Sequence, residues 1–374
     1  MIWDEERRAR AGICAVTTVA EADFLALVAK FGPVEVWERL RSRDSRSSKA
    51  PWAQRLNMDE LIGSTKSVGA RFLIPTDDEW PGSLGDLAHL DPVGGLGGVP
   101  VGLWVRGPGS LADWAGKSVA IVGSRAATPY GSMVASDLAA DLADAGWTVV
   151  SGGAYGIDAA AHRGALVEGR TVAVLASGVD ELYPRGNKVV LEQVVARGLV
   201  VSELAPSQRP DRVGFLARNR LIAALSNATV VVEASRRSGA KNTATWASGL
   251  GRPLMAVPGP VTSDTSCTPH ALIRDGVATL VTSASDVLSL LGPLGSVPEP
   301  DSLGEGRMLD DLSPTELRVR EALPGRGNRS AGEVALLTGL DMNTCLATLT
   351  ELEFRDLVAA TSDGRWKISR PKAS

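Results

Sequence analysis

Two glycine-rich segments, each directly after an apolar run, carry the residues best suited to bind an anion. Gly123-Ser124-Arg125 follows residues 119–122, and Ser151-Gly152-Gly153-Ala154-Tyr155-Gly156 follows residues 147–150. Glycine leaves backbone N–H groups open to a ligand because it has no Cβ. The N-terminus of a following helix adds partial positive charge. We therefore expect a phosphate site, either of a nucleotide or of a nucleic-acid backbone, in preference to two plain tight turns.

Basic residues gather in the region that follows. Between residues 183 and 252 the chain has eleven Lys and Arg against four Asp and Glu, although its net charge is −4. A local excess of this kind could attract a polyanion, whereas a solvated face is the ordinary alternative. Its coincidence with the glycine-rich segments favours binding. The basic residues nearest to predicted strand ends or helix starts are Arg185, Lys188, Arg218, Arg220 and Lys241.

Short apolar runs alternate with helical segments from residue 118 to residue 291. This pattern predicts an α/β fold with a doubly wound, mostly parallel sheet. Both glycine-rich segments would then lie at the carboxyl edge of the sheet, where such folds bind ligands. The region before residue 70 shows helical spacing and predicts a small helical domain.

The last part of the chain predicts a separate small domain. Residues 293–309 are rich in Gly, Pro and Ser and indicate a linker. Ser313 and Pro314 are typical of a helix start. Two further helical segments and a hairpin follow, which is the winged-helix pattern. The candidate recognition helix is poor in Lys and Arg and carries Asp341, Glu351 and Glu353, which favours contact with protein or a spacer role over reading of DNA. The expected domains are 1–70, 71–292 and 310–374, with the linker between the last two.

Several site classes do not fit the sequence. An NAD site needs G-x-G-x-x-G after its first strand and an acidic residue ending the second, and a P-loop needs G-x-x-x-x-G-K-[ST]. Ser238-Gly239-Ala240-Lys241 lacks that spacing. The three cysteines and three histidines are scattered singly, so we expect no metal and no disulfide framework. Without a long apolar run or a secretory signal, a cytoplasmic protein with no membrane contact is expected.

Four side chains could carry acid–base chemistry. Asp158 and His162 are four residues apart on a predicted helix, and Glu203 and Glu233 each stand near the end of a predicted strand. The first two could form an acid–base pair, and the two glutamates could act as general bases in glycosidic or phosphoribosyl hydrolysis. Structural roles, in which the carboxylates accept bonds from loop N–H groups, are the preferred interpretation. We therefore expect no catalytic residue.

Seven segments of this region also occur together in one known family. They are VGSRAATPYG, SGGAYGIDAAAHRGAL, GVDELYPRGN, SEL, FLARNRLIAALS, VVEASRRSGA and VPGPVTSDTSCTPHALIRDG. In this order they closely resemble the DNA-processing protein A family (DprA, also called Smf), over about residues 72–291. The ordered set is specific, whereas any one of the motifs alone would be weak.

The resemblance implies a Rossmann-like domain that binds single-stranded DNA. It implies flanking domains, an N-terminal helical one of the SAM or helix-hairpin type and a C-terminal winged helix. It further implies a homodimer that protects incoming DNA in natural transformation and loads the RecA recombinase for recombination, with no enzymatic activity and no cofactor. The residues expected to contact DNA or phosphate are Gly123, Ser124, Arg125, Ser151, Gly152, Gly153, Gly156, Arg185, Lys188, Arg218, Asn219, Arg220, Ser238, Gly239 and Lys241.

The chain departs from the family pattern at several positions. Tyr155 stands where the family usually has arginine, and Leu216 where proline is common. Lys241 is an added cation that could restore the charge lost at Tyr155. Two other functions stay open: a nucleotide-processing enzyme resembling the lysine-decarboxylase-like phosphoribohydrolases, and a nucleotide-sensing module. The first of these has a glutamate in its Pro-Gly-Gly-x-Gly-Thr-x-x-Glu segment that this chain lacks.

Overall fold

The computed structural model describes residues 2–292, 312–324 and 327–369. The chain divides into two compact units, Met1–Val297 and Pro298–Ser374. The predicted linker at 293–309 lies outside the described residues, and the predicted domain boundaries stay predictions.

The described part of the first unit contains one large sheet and the helices around it. The strands are β1 (Ala70–Leu73), β2 (Leu103–Arg106), β3 (Ser118–Val122), β4 (Thr148–Ser151), β5 (Thr171–Val174), β6 (Leu199–Ser202), β7 (Ala228–Val231), β8 (Leu254–Ala256) and β9 (Thr279–Leu280). The helices are α1 (Glu5–Val16), α2 (Ala22–Phe31), α3 (Pro33–Arg41), α4 (Ala50–Arg55), α5 (Met58–Ser67), α6 (Leu111–Gly116), α7 (Pro129–Asp144), α8 (Ile157–Ala165), α9 (Lys188–Arg197), α10 (Arg212–Ala224), α11 (Ala240–Gly249), α12 (Cys267–Arg274) and α13 (Ala284–Leu291).

The strands are arranged in the order β1-β2-β6-β5-β4-β3-β7-β8-β9. The pairs from β6 through β9 are all parallel, and only β1 and β2 run antiparallel to their neighbours. The predicted α/β fold with a mostly parallel sheet is confirmed. Because β4 to β6 build outward on one side of β3 and β7 to β9 on the other, the direction of winding reverses between β3 and β7. A crevice at the carboxyl ends of the strands is expected at such a reversal.

Alternate residues of the central strands pack into separate cores on the two faces of the sheet. Val119 and Ile121 of β3 pack with α7, α8 and α13, whereas Ala120 and Val122 pack with α6, α10 and α11. All five residues of β3 are buried, which explains an apolar run without polar alternation. The N-terminal helices share a third core with β1, β2 and their neighbours. In this core the ring centroids of Phe72 and Trp104 lie 4.4 Å apart.

The second unit has its own small core. Its described elements are α14 (Pro314–Glu321), α15 (Ala331–Thr338), α16 (Met342–Phe354), β10 (Arg329–Ser330), β11 (Val358–Ala360) and β12 (Arg365–Ile368). The strands form a sheet in the order β10-β12-β11. Val319, Leu349 and Trp366 are buried together between the helices and this sheet.

Candidate functional site

A crevice of about 700 Å³ opens at the carboxyl ends of β4, β3 and β7, where the winding of the sheet reverses. Four segments line it: residues 122–126 after β3, Ala154 and Asp158 around the start of α8, residues 210–219 at the beginning of α10, and residues 235–243 between β7 and α11. Residues from both glycine-rich segments, the one after β3 and the one after β4, thus lie at this edge of the sheet, as the sequence predicts.

The loop after β3 is held in place by hydrogen bonds to both neighbouring segments. The Ile157 N–H at the start of α8 donates to the Ser124 carbonyl at 3.1 Å. The Glu233 carboxylate accepts from Thr128 N–H at 2.9 Å, from Thr128 Oγ1 at 2.7 Å and from Thr265 Oγ1 at 3.1 Å. Glu233 is therefore a positioning group that fixes the entrance of α7, and its carboxylate does not line the crevice.

Arg218 is the most informative residue of the crevice. Its side chain is buried, with the residue 7% exposed, yet Nε has no hydrogen-bond partner among the described residues. Burial lowers the pKa of Arg218, and the Asp158 carboxylate opposes this shift by Coulomb attraction. A buried cation without hydrogen-bonded compensation costs several kcal/mol. An anion entering the crevice would supply that compensation.

Gly152 makes room for this guanidinium. A Cβ on Gly152 would lie only 1.7 Å from Nη1 of Arg218. The glycine is thus required by the close approach of the side chain, and its own N–H donates to Asp158 at 3.2 Å. Gly152 is buried and acts through Arg218 and Asp158.

Asp158 and His162 lie on α8, with Asp158 in the lining of the crevice and His162 buried in the core. Burial raises the pKa of Asp158, against the effect of the Arg218 charge, while its carboxylate accepts from Gly152 and Ala154 N–H groups. His162 is fully buried, and its Nδ1 lies 2.8 Å from Thr171 Oγ1. Burial lowers the pKa of His162 to about 3. Asp158 therefore braces the loop after β4, whereas His162 is bonded to the first residue of β5.

Arg125 stands at the exposed lip of the crevice. Its guanidinium carbon lies 4.8 Å from the centroid of the Phe215 ring, and that ring lies 6.0 Å from the ring of Tyr183. Stacking on Phe215 orients the planar guanidinium and leaves its edge free to donate to phosphate oxygens. The lip thus combines a cation with aromatic surface, the two elements from which sites for single strands are built.

Three helix N-termini open toward the crevice, those of α8, α10 and α11. Asp211 caps α10 by accepting from Gly214 N–H at 2.6 Å, so this carboxylate in the lining is already committed. Gly156, which precedes α8, has φ of 75°, and a Cβ there would lie 2.2 Å from the Ser124 carbonyl oxygen. The converging helix dipoles add positive potential where the guanidinium groups lie.

The structure brings seven of the predicted site residues together and separates the others. The crevice is lined by Gly123, Ser124, Arg125, Arg218, Asn219, Ser238 and Gly239. Two predicted residues are buried near the crevice: Ser151, which donates to the Ile121 carbonyl, and Gly153, which packs against Leu175 and Leu191. Lys241 is exposed on the first turn of α11 and does not line the crevice.

The prediction that Arg220 faces the site is wrong. Arg220 is fully buried, and its Nη1 and Nη2 donate to the two Glu203 carboxylate oxygens at 2.5 and 2.7 Å. Residues two apart on a helix point in nearly opposite directions, so Arg218 and Arg220 cannot both face one crevice. Arg220 is a structural residue that neutralises Glu203 in the core.

Arg185 and Lys188 line a different cavity, of about 550 Å³, together with Arg106. They follow β5, which is two strands away from β3, a separation of roughly 10 Å. Lys188 Nζ also lies 3.7 Å from Glu192. The expectation of one continuous pocket is therefore corrected to two neighbouring cavities.

Two cations of the crevice were not among the predicted site residues. Arg212 and Arg237 are exposed and line it, at the start of α10 and in the loop after β7. Both belong to the basic excess of the sequence. Their positions in the sequence could have identified them. Arg212 directly follows Asp211 at the start of α10, and Arg237 directly precedes the predicted site residue Ser238.

Other site classes leave no trace in the described ranges. Across residues 2–292, 312–324 and 327–369, no cluster of three or more His, Cys, Asp or Glu side chains could hold a metal ion. Over the same ranges, none of the helices combines the length and apolar character needed to span a bilayer.

The chain is similar to known proteins over most of its length. The sequence profile of the family described as DNA recombination-mediator protein A matches residues 71–292. A DNA processing protein DprA of Mycobacterium tuberculosis (strain H37Rv) is 44% identical over 99% of this chain and 96% of its own length. The Smf protein of Escherichia coli K12 is 34% identical over 80% of this chain and 78% of its own length.

Two solved structures extend the likeness to three dimensions. DprA of Streptococcus pneumoniae superposes with a TM-score of 0.63 at 29% identity, covering 77% of this chain and 98% of that protein. A Helicobacter pylori DprA structure, described for its single-stranded DNA binding mode, has a TM-score of 0.52 at 30% identity, covering 59% of this chain and 95% of that protein. The chain therefore belongs to the DNA recombination-mediator protein A family.

Proposed function

We propose that this chain binds single-stranded DNA in the crevice at the ends of β4, β3 and β7. The observation that carries the proposal is Arg218, a buried guanidinium with an unpartnered Nε that lines the crevice. A backbone phosphate supplies the hydrogen-bonded compensation that Arg218 lacks, while Arg125, Arg212 and Arg237 at the rim contact flanking phosphates. Phosphate contacts of this type carry no sequence information.

The aromatic groups at the lip favour a single strand over a duplex. Phe215 and Tyr183 lie 6.0 Å apart, with Arg125 over the first ring. Bases that are unpaired can stack on such rings, whereas bases within a duplex cannot reach them. The described binding mode of the Helicobacter pylori relative supports the same choice.

The wider role follows from family membership. We propose a homodimer that protects incoming DNA in natural transformation and loads RecA onto it during recombination, in the cytoplasm. The proposed domains are a helical domain at 1–70, the Rossmann-like domain at 71–292, and a winged helix at 310–374 after the linker at 293–309. The three helices and small sheet of the second unit support the winged-helix assignment.

The proposed role is non-enzymatic. Glu203 and Glu233, the carboxylates that could have served a hydrolytic mechanism, are bonded to Arg220 and to the Thr128 and Thr265 side chains. Neither lines the crevice. No observation favours the nucleotide-processing alternative over DNA binding.

A gel-shift comparison tests the proposed function. The full chain is titrated against a single strand, the matching duplex and an RNA of the same sequence, each at two salt concentrations. We expect the single-stranded DNA to bind most tightly and to lose affinity at the higher salt concentration. Equal or tighter binding of the duplex would contradict the proposal. A separate hydrolysis assay tests the enzymatic alternative, which release of base from a mononucleotide would support.

A further inference from the structure

A third cavity, of about 810 Å³, lies between the N-terminal helices and the loop after β6. Its most unusual feature is Trp52 on α4, which is 65% exposed. All nine tryptophans of the chain are among the described residues, and Trp52 is the one that is exposed. Because burial of a large ring is strongly favourable, the exposed Trp52 ring beside this cavity offers a surface on which a planar ligand could stack.

The lining of this cavity suits a nucleotide better than an apolar peptide. The Arg55 guanidinium lies 5.4 Å from the centroid of the Trp52 ring. Around this pair the lining includes six hydroxyl and amide side chains among apolar ones. The six are Thr17, Thr18, Asn57, Ser64, Ser207 and Gln208. One stacking ring, two arginines and several small polar groups match the base, phosphate and sugar of a nucleotide.

This cavity adjoins the crevice at the start of α10. Asp211 lines both, and the exposed Arg209 stands on the loop before α10. This loop is tied to the N-terminal helices, since Gln208 Nε2 donates to the Ala15 carbonyl at 2.9 Å and its Oε1 accepts from Ala205 N–H. A strand that leaves the crevice past Asp211 would therefore enter the cavity that Trp52 lines.

We propose that the cavity beside Trp52 binds a further nucleotide of the same single strand, with a base stacked on Trp52. This inference rests on the proposed function of the crevice. Glu60 and Asp211 balance the charges of Arg55 and Arg209 in the lining. Affinity from this subsite therefore comes from stacking and depends weakly on salt, unlike affinity from the crevice.

Oligonucleotide length separates the two sites. We compare oligo-dT of about 5 and about 20 nucleotides, because known single-strand sites span roughly 4–16 nucleotides per module. In the full chain, Trp52→Ala should weaken binding of the long oligonucleotide roughly five- to 150-fold, the range measured for loss of one stacked base. The short oligonucleotide, confined to the crevice, should bind as to the unchanged protein. Trp52→Phe should restore most of the loss.

Trp147→Leu is the matched control. The Lys117 ammonium lies 5.3 Å from the centroid of the Trp147 ring, but Trp147 stands next to the amino end of β4, whereas the crevice is at the carboxyl end. It should leave both affinities unchanged. If Trp52→Ala leaves the affinity for the long oligonucleotide unchanged, or weakens both lengths equally, the inference is overturned. The crevice is tested separately by Arg125→Ala, which should weaken both lengths; if it weakens neither, the proposed function fails as well.

Discussion

Arg220 and Glu203 form a buried, two-pronged ion pair, with both guanidinium Nη atoms within 2.7 Å of the carboxylate oxygens. Arg218, two residues earlier on the same helix, has an unpartnered Nε and lines the crevice. One of the two arginines of the Arg-Asn-Arg segment therefore supports the fold and the other is available to a ligand.

Replacing Arg220 tests this division. Arg220→Met leaves the Glu203 charge buried and unpaired, so we expect a loss of about 3–5 kcal/mol in the free energy of unfolding. The double variant Arg220→Met/Glu203→Leu should recover part of that loss. Denaturant unfolding measures both. A stable Arg220→Met protein with weakened DNA binding would instead put Arg220 in the site.

Removing the cation at the lip of the crevice should weaken binding without affecting the fold. Arg125 is exposed, so Arg125→Ala should lower the affinity for single strands roughly ten- to 100-fold, the value of one charged hydrogen bond. The loss should be equal for oligo-dT and mixed sequences, because phosphate contacts carry no base information. Arg39→Ala is the control, since Arg39 stacks on Phe31 at 4.7 Å in the N-terminal helices. A sequence-dependent loss would argue against a phosphate contact.

Gly152→Ala tests whether Arg218 must occupy its present position. The added methyl group would overlap Nη1 of Arg218 and push the side chain from its place. We expect a fall of roughly ten- to 100-fold in DNA affinity, as for loss of one charged hydrogen bond, although no charge is removed. Gly116→Ala is the counterpart, because nothing lies within 4 Å of a Cβ there and Gly116 stands at the exposed end of α6, outside the crevice lining; it should bind normally. Fluorescence anisotropy with labelled oligo-dT measures both, and equal affinities would disprove the role of Gly152.

The buried imidazole of His162 makes stability depend on pH. Its pKa is about 3 in the folded chain against an ordinary value of 6.5. The unfolded chain therefore binds a proton first, so this contribution to stability is full above pH 6.5 and is lost as the pH falls toward 3. The slope should approach ~1.4 kcal/mol per pH unit.

The variant His162→Asn isolates this contribution. Asp158, whose pKa is raised, acts in the opposite sense, so the difference between the two proteins is the informative quantity. We expect the acid-side decline in stability to be shallower in His162→Asn, measured by thermal unfolding across the acid range. Parallel declines would show that His162 is protonated in the folded chain.

The sheet and its binding edge were predictable because they depend on local patterns. The unbroken apolar run of β3 marks a strand covered on both faces, and a parallel sheet brings the loops after β3 and β4 to one edge. Gly152 and Ser124 were placed at this edge in this way, and their contact with DNA stays a prediction. Their detailed roles, one making room for Arg218 and the other accepting from Ile157, require the packed structure.

Spacing near strand ends alone does not show which of the basic residues line the crevice. Helical periodicity separates Arg218 from Arg220, and strand order separates Arg125 from Arg185. Strand order depends on long-range packing that no local pattern encodes. For the same reason, the approach of Trp52 to the loop after β6 was not foreseen.

The salt dependence of single-strand affinity tests the central claim most directly. Four arginines line the crevice, Arg125, Arg212, Arg218 and Arg237. If each contacts one phosphate, log K should fall against log salt with a slope of roughly −3. In the triple variant Arg125→Ala/Arg212→Ala/Arg237→Ala, which leaves Arg218 in place, the slope should shrink to about −1. An unchanged slope in the triple variant, or a slope near zero in the original chain, would contradict the account.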